Sequence, residues 1–111
     1  AIDRGQIQQV LLNLITNSID AMPDGGRITI STRVAKDRVS ILIRDNGIGI
    51  PAGHLPHLFE PFYTTRPQGT GLGLFISRKI VQKYGGELTF QSNSPQKSAG
   101  TAFRILMPME E

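Results

Sequence analysis

Two stretches of the chain carry apolar residues at the spacing of an amphipathic helix. In the first, about residues 4–22, the apolar side chains are Val10, Leu11, Leu14, Ile15 and Ile19. Asp3 is the predicted N-cap of this helix, and the Pro-Asp-Gly-Gly turn at 23–26 is predicted to end it. The second helix is predicted over about 72–84, and Gly85 suits a left-handed C-cap there.

Four shorter stretches alternate apolar and polar residues, as strands do. Residues 28–34 and 39–44 form one predicted hairpin, closed by a short link. Residues 87–92 and 101–107 form the second, joined by a polar loop. The order helix, hairpin, long loop, helix, hairpin predicts an α+β fold of two layers, in which helices cover an apolar face of a mostly antiparallel sheet and the other face stays partly wet.

The segment of about 45–71 lacks a clear period and contains several Gly and Pro residues. We predict a loop there, with one short helix near 55–60. A loop of this length inside a compact domain is usually functional or mobile. The segment is therefore the first place to look for chemistry.

Composition narrows the class of protein. The chain has 111 residues, of which 39% are hydrophobic, so one domain over 1–111 with one ordinary core is expected. It contains no cysteine, which excludes a disulfide scaffold and a thiolate metal site. No apolar run has the length of a membrane span, and polar residues interrupt any signal-peptide core. The net charge of +3 is mild and its basic residues are scattered, which disfavours nucleic-acid binding.

Polar residues on the first helix form one candidate site. Asn13, Asn17 and Asp20 lie at i, i+4 and i+7, on one face. These residue types are poor helix formers, which cost up to about 0.7 kcal/mol each against Ala. Their oxygens are ligands that suit Mg²⁺. The spacing alone also fits a solvated polar face.

A second candidate follows directly on a predicted strand, where Asp45 stands beside Gly47 and Gly49. A carboxylate at a strand end can accept a hydrogen bond from a ligand that lies against bare backbone. The alternative is an ordinary Asp-Asn-Gly turn. A relaxed dinucleotide fingerprint is disfavoured, because Pro51 interrupts it and Leu72 occupies the place of its acidic residue.

A third candidate is the glycine-rich stretch 69–74, which opens the second helix. Backbone N–H groups at a helix N-terminus favour anions such as phosphate, although glycine-rich turns also occur for packing. It is not a Walker A loop, since that motif is absent from the chain. Arg66 lies three residues earlier, where it could pair with phosphate. His54 and His57 lack a further ligand at suitable spacing and are taken as surface residues.

Five segments in this order resemble the ATP-binding catalytic domain of sensor histidine kinases, in the superfamily that includes gyrase B, Hsp90 and MutL. Residues 13–21 resemble the N box, 45–50 the G1 box, 59–62 the F box, 69–74 the G2 box and 100–103 the last glycine box. The resemblance implies the Bergerat type of two-layer α/β sandwich. It also implies ATP and Mg²⁺ as cofactors.

The resemblance further implies roles for individual residues. Asn17 would ligate Mg²⁺, Asn13 one turn earlier would line the site, and both would be catalytic residues. Asp45 would accept a hydrogen bond from the adenine amino group. Residues 51–69 would be the ATP lid, of the short nitrogen-regulator type, anchored by Phe59 and Phe62. The implied ATP contacts are Asn17, Asp20, Asp45, Gly47, Gly49, Ile50, Phe62, Arg66, Gly69, Thr70, Gly71, Leu72, Gly73, Leu74 and Thr101.

The same resemblance implies a protein histidine kinase that donates the γ-phosphoryl group of ATP to a histidine on a separate dimerisation domain, with a response regulator downstream. The chain would be a monomeric fragment of a longer kinase whose cytoplasmic part it forms, with one sheet edge unpaired because the chain begins almost at the first helix. In gyrase and Hsp90 a Glu stands in the place of Asn13. Since Asn has no titratable group, a bare ATPase is disfavoured. A non-catalytic nucleotide-sensing module is the other alternative.

Overall fold

The computed structural model describes residues 3–22, 24–47, 56–60, 73–93 and 100–108. Its elements, in chain order, are α1 (Arg4–Asp20), β1 (Ile28–Ala35), β2 (Arg38–Asp45), α2 (Gly73–Lys83), β3 (Glu87–Asn93) and β4 (Gly100–Pro108). All six predicted helices and strands are confirmed, with ends within two residues of the predicted ones. No helix among these residues is long and apolar enough to cross a membrane.

The four strands form one sheet in the order β1-β2-β4-β3, and every neighbouring pair is antiparallel. The helices pack against each other and onto one face of the sheet, which confirms the two-layer α+β prediction. Of the short helix predicted near 55–60, the described residues show a single turn, in which the Glu60 N–H donates to the His57 carbonyl at 3.0 Å.

Local signals set the ends of both helices. At the start of α1, the Asp3 carboxylate accepts from the Gly5 N–H at 2.8 Å, as predicted for the N-cap. At the end of α2, Gly85 has φ +81°, and the Gly86 N–H donates to the Val81 carbonyl at 3.0 Å. This geometry confirms the left-handed C-cap, which favours glycine because it has no Cβ.

The hydrophobic core lies between the two helices and the three strands β2, β4 and β3. Both helices and all three strands contribute to it, and it consists of Val10, Leu14, Ile43, Ile80, Val81, Leu88, Phe103, Ile105 and Met107. At the far end of the helix pair, the Tyr84 hydroxyl accepts from the Asp3 N–H at 3.1 Å and donates to the Gln6 side chain. The two helices are therefore joined at the start of α1 and the end of α2.

The expectation that helices cover the whole apolar face is wrong for β1. Ile30 pairs with the fully buried Ile43, yet Ile30 remains 51% exposed and Val34, further along β1, 63% exposed. The physical reason is the placement of the helices: α1 packs on β2 and α2 packs on β3. The helical layer is thus centred away from β1, and alternation within β1 alone did not reveal this.

Ser18 carries the one buried side-chain polar atom without a hydrogen-bond partner in the described part of the chain. It lies on the sheet-facing side of α1 with Val10 and Leu14. A buried hydroxyl left unpaired costs about 1–3 kcal/mol. We therefore expect Ser18→Ala to raise the free energy of unfolding by about 1 kcal/mol or more.

Urea unfolding followed by circular dichroism measures this change. Thr16→Ala, on the exposed side of the same helix, is the matched control, because it reports the gain from helix propensity alone. If Ser18→Ala stabilises the chain no more than Thr16→Ala does, the unpaired hydroxyl is not a stability cost.

Candidate functional site

The register of the sheet places Asp45 and Thr101 side by side at the ends of two central strands. Asp45, the last residue of β2, pairs directly with Thr101, the second residue of β4. Both are 5% exposed. Because side chains alternate along a strand, a slip of one residue would send them to opposite faces. Their shared position on the helix-covered face is therefore a property of the β2–β4 pairing.

One oxygen of the Asp45 carboxylate is held by the backbone. Its Oδ1 accepts from the Gly47 N–H at 2.9 Å and from the Thr101 N–H at 3.3 Å. These two donors offset part of the cost of burying a carboxylate. Its second oxygen, Oδ2, makes no hydrogen bond with the described residues. Among the described residues, Asp45 is thus held through one oxygen, and none of them occupies the other.

Gly47 brings the end of α1 close to the Asp45 carboxylate. A Cβ at Gly47 would lie 2.6 Å from the Ala21 carbonyl oxygen and 3.0 Å from the Met22 side chain. No real Cβ is tolerated at such distances, so this approach requires glycine. The N-box helix and the G1 segment, which the sequence placed in separate elements, therefore meet at this point.

The three polar residues of α1 have different surroundings. Asn13 is half-buried, and its Nδ2 donates to the Gly73 carbonyl at 3.3 Å and to the Ser77 Oγ at 3.1 Å. Asn17 is half-buried, and its side chain makes no hydrogen bond with the described residues. Asp20 is exposed at the end of the helix. Asn13 thus joins α1 to α2, and Asn17 keeps a carboxamide available one turn later.

The start of α2 supplies the described part of the G2 segment. Gly73 is the first residue of the helix, and a Cβ there would lie 3.8 Å from Asn13 Cγ, an ordinary contact. Leu74 packs against the hydrophobic core. The remaining predicted contacts lie outside the described residues: Gly49, Ile50, Phe62, Arg66, Gly69, Thr70, Gly71 and Leu72. His54 and most of the predicted lid, 51–69, lie outside them too.

Phe59 joins the described part of the predicted lid to the main body. Its ring centroid lies 5.6 Å from that of Phe90 on β3, and Phe90 lies 6.4 Å from Phe103 on β4. From the other side, the Arg78 guanidinium lies 4.2 Å from the Phe59 centroid, within cation–π range. Phe59 therefore packs against the main core and α2, rather than in a separate small core under the loop.

Elsewhere in this segment, His57 is exposed, and its Nδ1 lies 2.9 Å from a Glu60 carboxylate oxygen. Among the described residues, no group of three or more His, Cys, Asp or Glu side chains could hold a metal ion.

Sequence reasoning missed two residues around the site. Ser77 is fully buried and accepts the hydrogen bond from Asn13. Its signal was available, since it is a polar residue on the apolar stripe that carries Ile80 and Val81. The sequence pattern predicts Asn46 only as part of a turn. Its Oδ1 accepts from the Arg27 N–H at 2.8 Å and holds the start of β1 against the end of β2.

Comparisons with known proteins agree with this geometry. Residues 2–111 match the model of the family described as histidine kinase-, DNA gyrase B- and HSP90-like ATPase. Sporulation kinase E of Bacillus subtilis (strain 168) is 41% identical over 107 residues, which are 96% of this chain and 14% of that kinase. The chain thus spans about a seventh of this relative's length.

Two solved structures share the fold over 96% of this chain. The nucleotide-free catalytic domain of histidine kinase ThkA is 36% identical with a TM-score of 0.82, and the match covers 68% of it. Full-length ShkA in complex with AMPPNP is 26% identical with a TM-score of 0.82, and the match covers 22% of it. The chain therefore belongs to the histidine kinase-, DNA gyrase B- and HSP90-like ATPase family, in which it is an ATP-binding domain of the sensor histidine kinase type.

Proposed function

We propose that this domain binds ATP with Mg²⁺ and presents its γ-phosphoryl group to a histidine on a separate dimerisation domain of the same kinase. The observation that carries the nucleotide part is the Asp45 carboxylate, fixed through Oδ1 and available through Oδ2. A carboxylate oxygen can accept the hydrogen bond that the adenine amino group donates. Gly47, whose N–H holds Oδ1, is required to be glycine by the close approach of Ala21, and Thr101 pairs with Asp45 on the neighbouring strand.

For the metal we propose Asn17 as the protein ligand. Its carboxamide is half-buried and makes no hydrogen bond with the described residues, so its oxygen is available. One amide oxygen fits Mg²⁺, which usually takes few protein ligands and completes its shell with water and substrate phosphates. Bound there, the cation would neutralise phosphate charge. Asp20, exposed one turn later, would add a negative charge at the rim of this region.

We propose that the domain contributes to phosphoryl transfer mainly by positioning the reacting groups. In phosphoryl transfer the protein mainly orients the groups and stabilises charge. Asn13 lacks a titratable group and donates two hydrogen bonds to α2, so it does not serve as a base for water. The acceptor is therefore a supplied side chain rather than water. Arg66 and the segment 69–72, which contains Gly69 and Gly71, remain proposed phosphate contacts.

The whole protein's setting is proposed from its relatives. Sporulation kinase E is a longer protein, which is consistent with further domains around this one. We propose an aspartate of a response regulator as the downstream acceptor, a cytoplasmic location, and a monomeric state for this chain alone.

Titration calorimetry with a non-hydrolysable ATP analogue, with and without Mg²⁺, tests the metal assignment. We expect Asn17→Ala to lower affinity about tenfold in Mg²⁺, or 1.4 kcal/mol, and to change affinity little without it. Thr16→Ala, the exposed neighbour on α1, is the control and should match wild type. Equal losses with and without Mg²⁺ would remove Asn17 from the metal site.

Phosphoryl transfer needs a separate assay, with labelled ATP and a supplied histidine-containing dimerisation domain. We expect label on the supplied domain, little label on the chain itself, and slow hydrolysis. Nucleotide binding without any transfer would favour a sensing module. Rapid steady-state hydrolysis that Asn17→Ala abolishes would favour a gyrase-type ATPase instead.

A further inference from the structure

One side chain links the polar face of α1 to the start of α2. Asn13 Nδ2 donates to the Gly73 carbonyl at 3.3 Å and to Ser77 Oγ at 3.1 Å. The two helices are packed together, and these bonds lie at the end of the pair that faces the candidate site. The opposite end is held by Tyr84.

The chemistry of the acceptors fixes the orientation of the Asn13 amide. The Gly73 carbonyl can only accept, so the NH₂ end of the carboxamide must face α2. Its two hydrogens have two acceptors there, Gly73 O and Ser77 Oγ. The carboxamide oxygen makes no hydrogen bond with the described residues. Since an amide is planar and carries N and O on different sides of Cγ, this oxygen is directed away from both α2 acceptors.

Ser77 is placed where a hydroxyl is costly without a partner. It is fully buried, on the side of α2 that also carries Ile80 and Val81. An apolar residue would suit that stripe, and a buried hydroxyl is tolerated there because Asn13 bonds to it. Gly73 alone would leave one N–H of Asn13 without an acceptor in this region.

We propose that Ser77 is a positioning residue for nucleotide binding: it holds the Asn13 carboxamide with its oxygen turned to the side where Asn17 would ligate the cation. The inference rests on the proposed Mg²⁺–ATP site. Ser77 itself touches neither nucleotide nor metal, and it acts only through Asn13. Removing its hydroxyl leaves the Asn13 amide with the longer bond to the Gly73 carbonyl as its remaining bond to α2 among the described residues, so the carboxamide oxygen spends less time in its binding orientation.

A double-mutant cycle tests whether Ser77 acts on nucleotide binding through Asn13. We expect Ser77→Ala to weaken binding of an ATP analogue in Mg²⁺ about three- to tenfold, within the coupling range of residues in one hydrogen-bond network. Asn13→Ala should lose at least as much, and Ser77→Ala in the Asn13→Ala background should lose nothing further. A loss that persists in that background would overturn the proposal, as would wild-type affinity in Ser77→Ala.

Two further measurements separate the loss of the Ser77 hydroxyl from the loss of side-chain volume. Ser77→Cys leaves no cavity, since its side chain is slightly larger than that of Ser, but it accepts hydrogen bonds weakly, so it should bind like Ser77→Ala. Binding like wild type would overturn the role of the hydroxyl. A ¹⁵N spectrum of the Asn13 side-chain amide reads the same contact directly: its two protons should be distinct and slow to exchange in wild type and exchange faster in both Ser77 variants. Unchanged exchange would also overturn it.

The outcome is separable from that of the proposed function. If wild type does not bind the ATP analogue, the proposed function fails. If wild type binds and Asp45→Asn abolishes binding while the Ser77 variants bind normally, only the role of Ser77 fails.

Discussion

Asp45→Asn is expected to lower the affinity of the domain for an ATP analogue about 100-fold, or 2.8 kcal/mol. The substitution affects the proposed adenine contact selectively, because Oδ1 accepts from the backbone and Oδ2 is the proposed acceptor for adenine. The Gly47 and Thr101 N–H groups both require an acceptor, so they keep the amide oxygen of Asn where Oδ1 was. The other terminal atom then changes from an acceptor to a donor, and in the proposed complex it would meet the adenine amino group with a second donor.

Calorimetric titration checks the loss, and a thermal melt followed by circular dichroism checks the fold. Guanine is the built-in control, since it presents a carbonyl oxygen where adenine presents an amino group. We expect the ratio of GTP-analogue to ATP-analogue affinity to rise in Asp45→Asn. If ATP binds equally well to both proteins, Asp45 does not contact the base and is a structural residue of the turn.

Gly100→Ala is expected to cost at least about 3 kcal/mol of unfolding free energy, the largest effect on stability that we predict. Gly100 has φ +141°, and a Cβ there would lie 2.3 Å from the Asp45 carbonyl oxygen. The carbonyl oxygen and the Gly100 Cα that would carry the Cβ both belong to strand backbones, so neither can move without opening the β2–β4 pairing beside Thr101. The substitution should therefore weaken nucleotide binding as well.

Gly25→Ala is the matched control for backbone strain. Gly25 also has a positive φ, +96°, but a Cβ there would have no neighbour within 4 Å. Strain alone should cost about 1 kcal/mol. Urea unfolding of both variants separates the cost of backbone strain from the cost of the steric contact. Equal losses of unfolding free energy would mean that the contact with the Asp45 carbonyl is relieved at little cost.

The limits of sequence reasoning are clear at β1. Alternation correctly predicted the strand and the side on which Ile30 and Val34 lie. It did not predict that this part of the face stays exposed, because burial depends on where the helices lie across the sheet. The same holds for Phe59, whose partners Phe90 and Arg78 come from two later elements.

The six elements, the carboxylate of Asp45 at a strand end and the row of polar residues on α1 can be predicted from the sequence, because they depend on neighbours along the chain. The bond that the Thr101 N–H donates to Asp45 spans 56 residues, and the bond between Asn13 and Ser77 spans 64, so both were visible only in the folded chain. Such contacts depend on strand register and helix placement. Those are set by the packing of the whole core, and no local period encodes them.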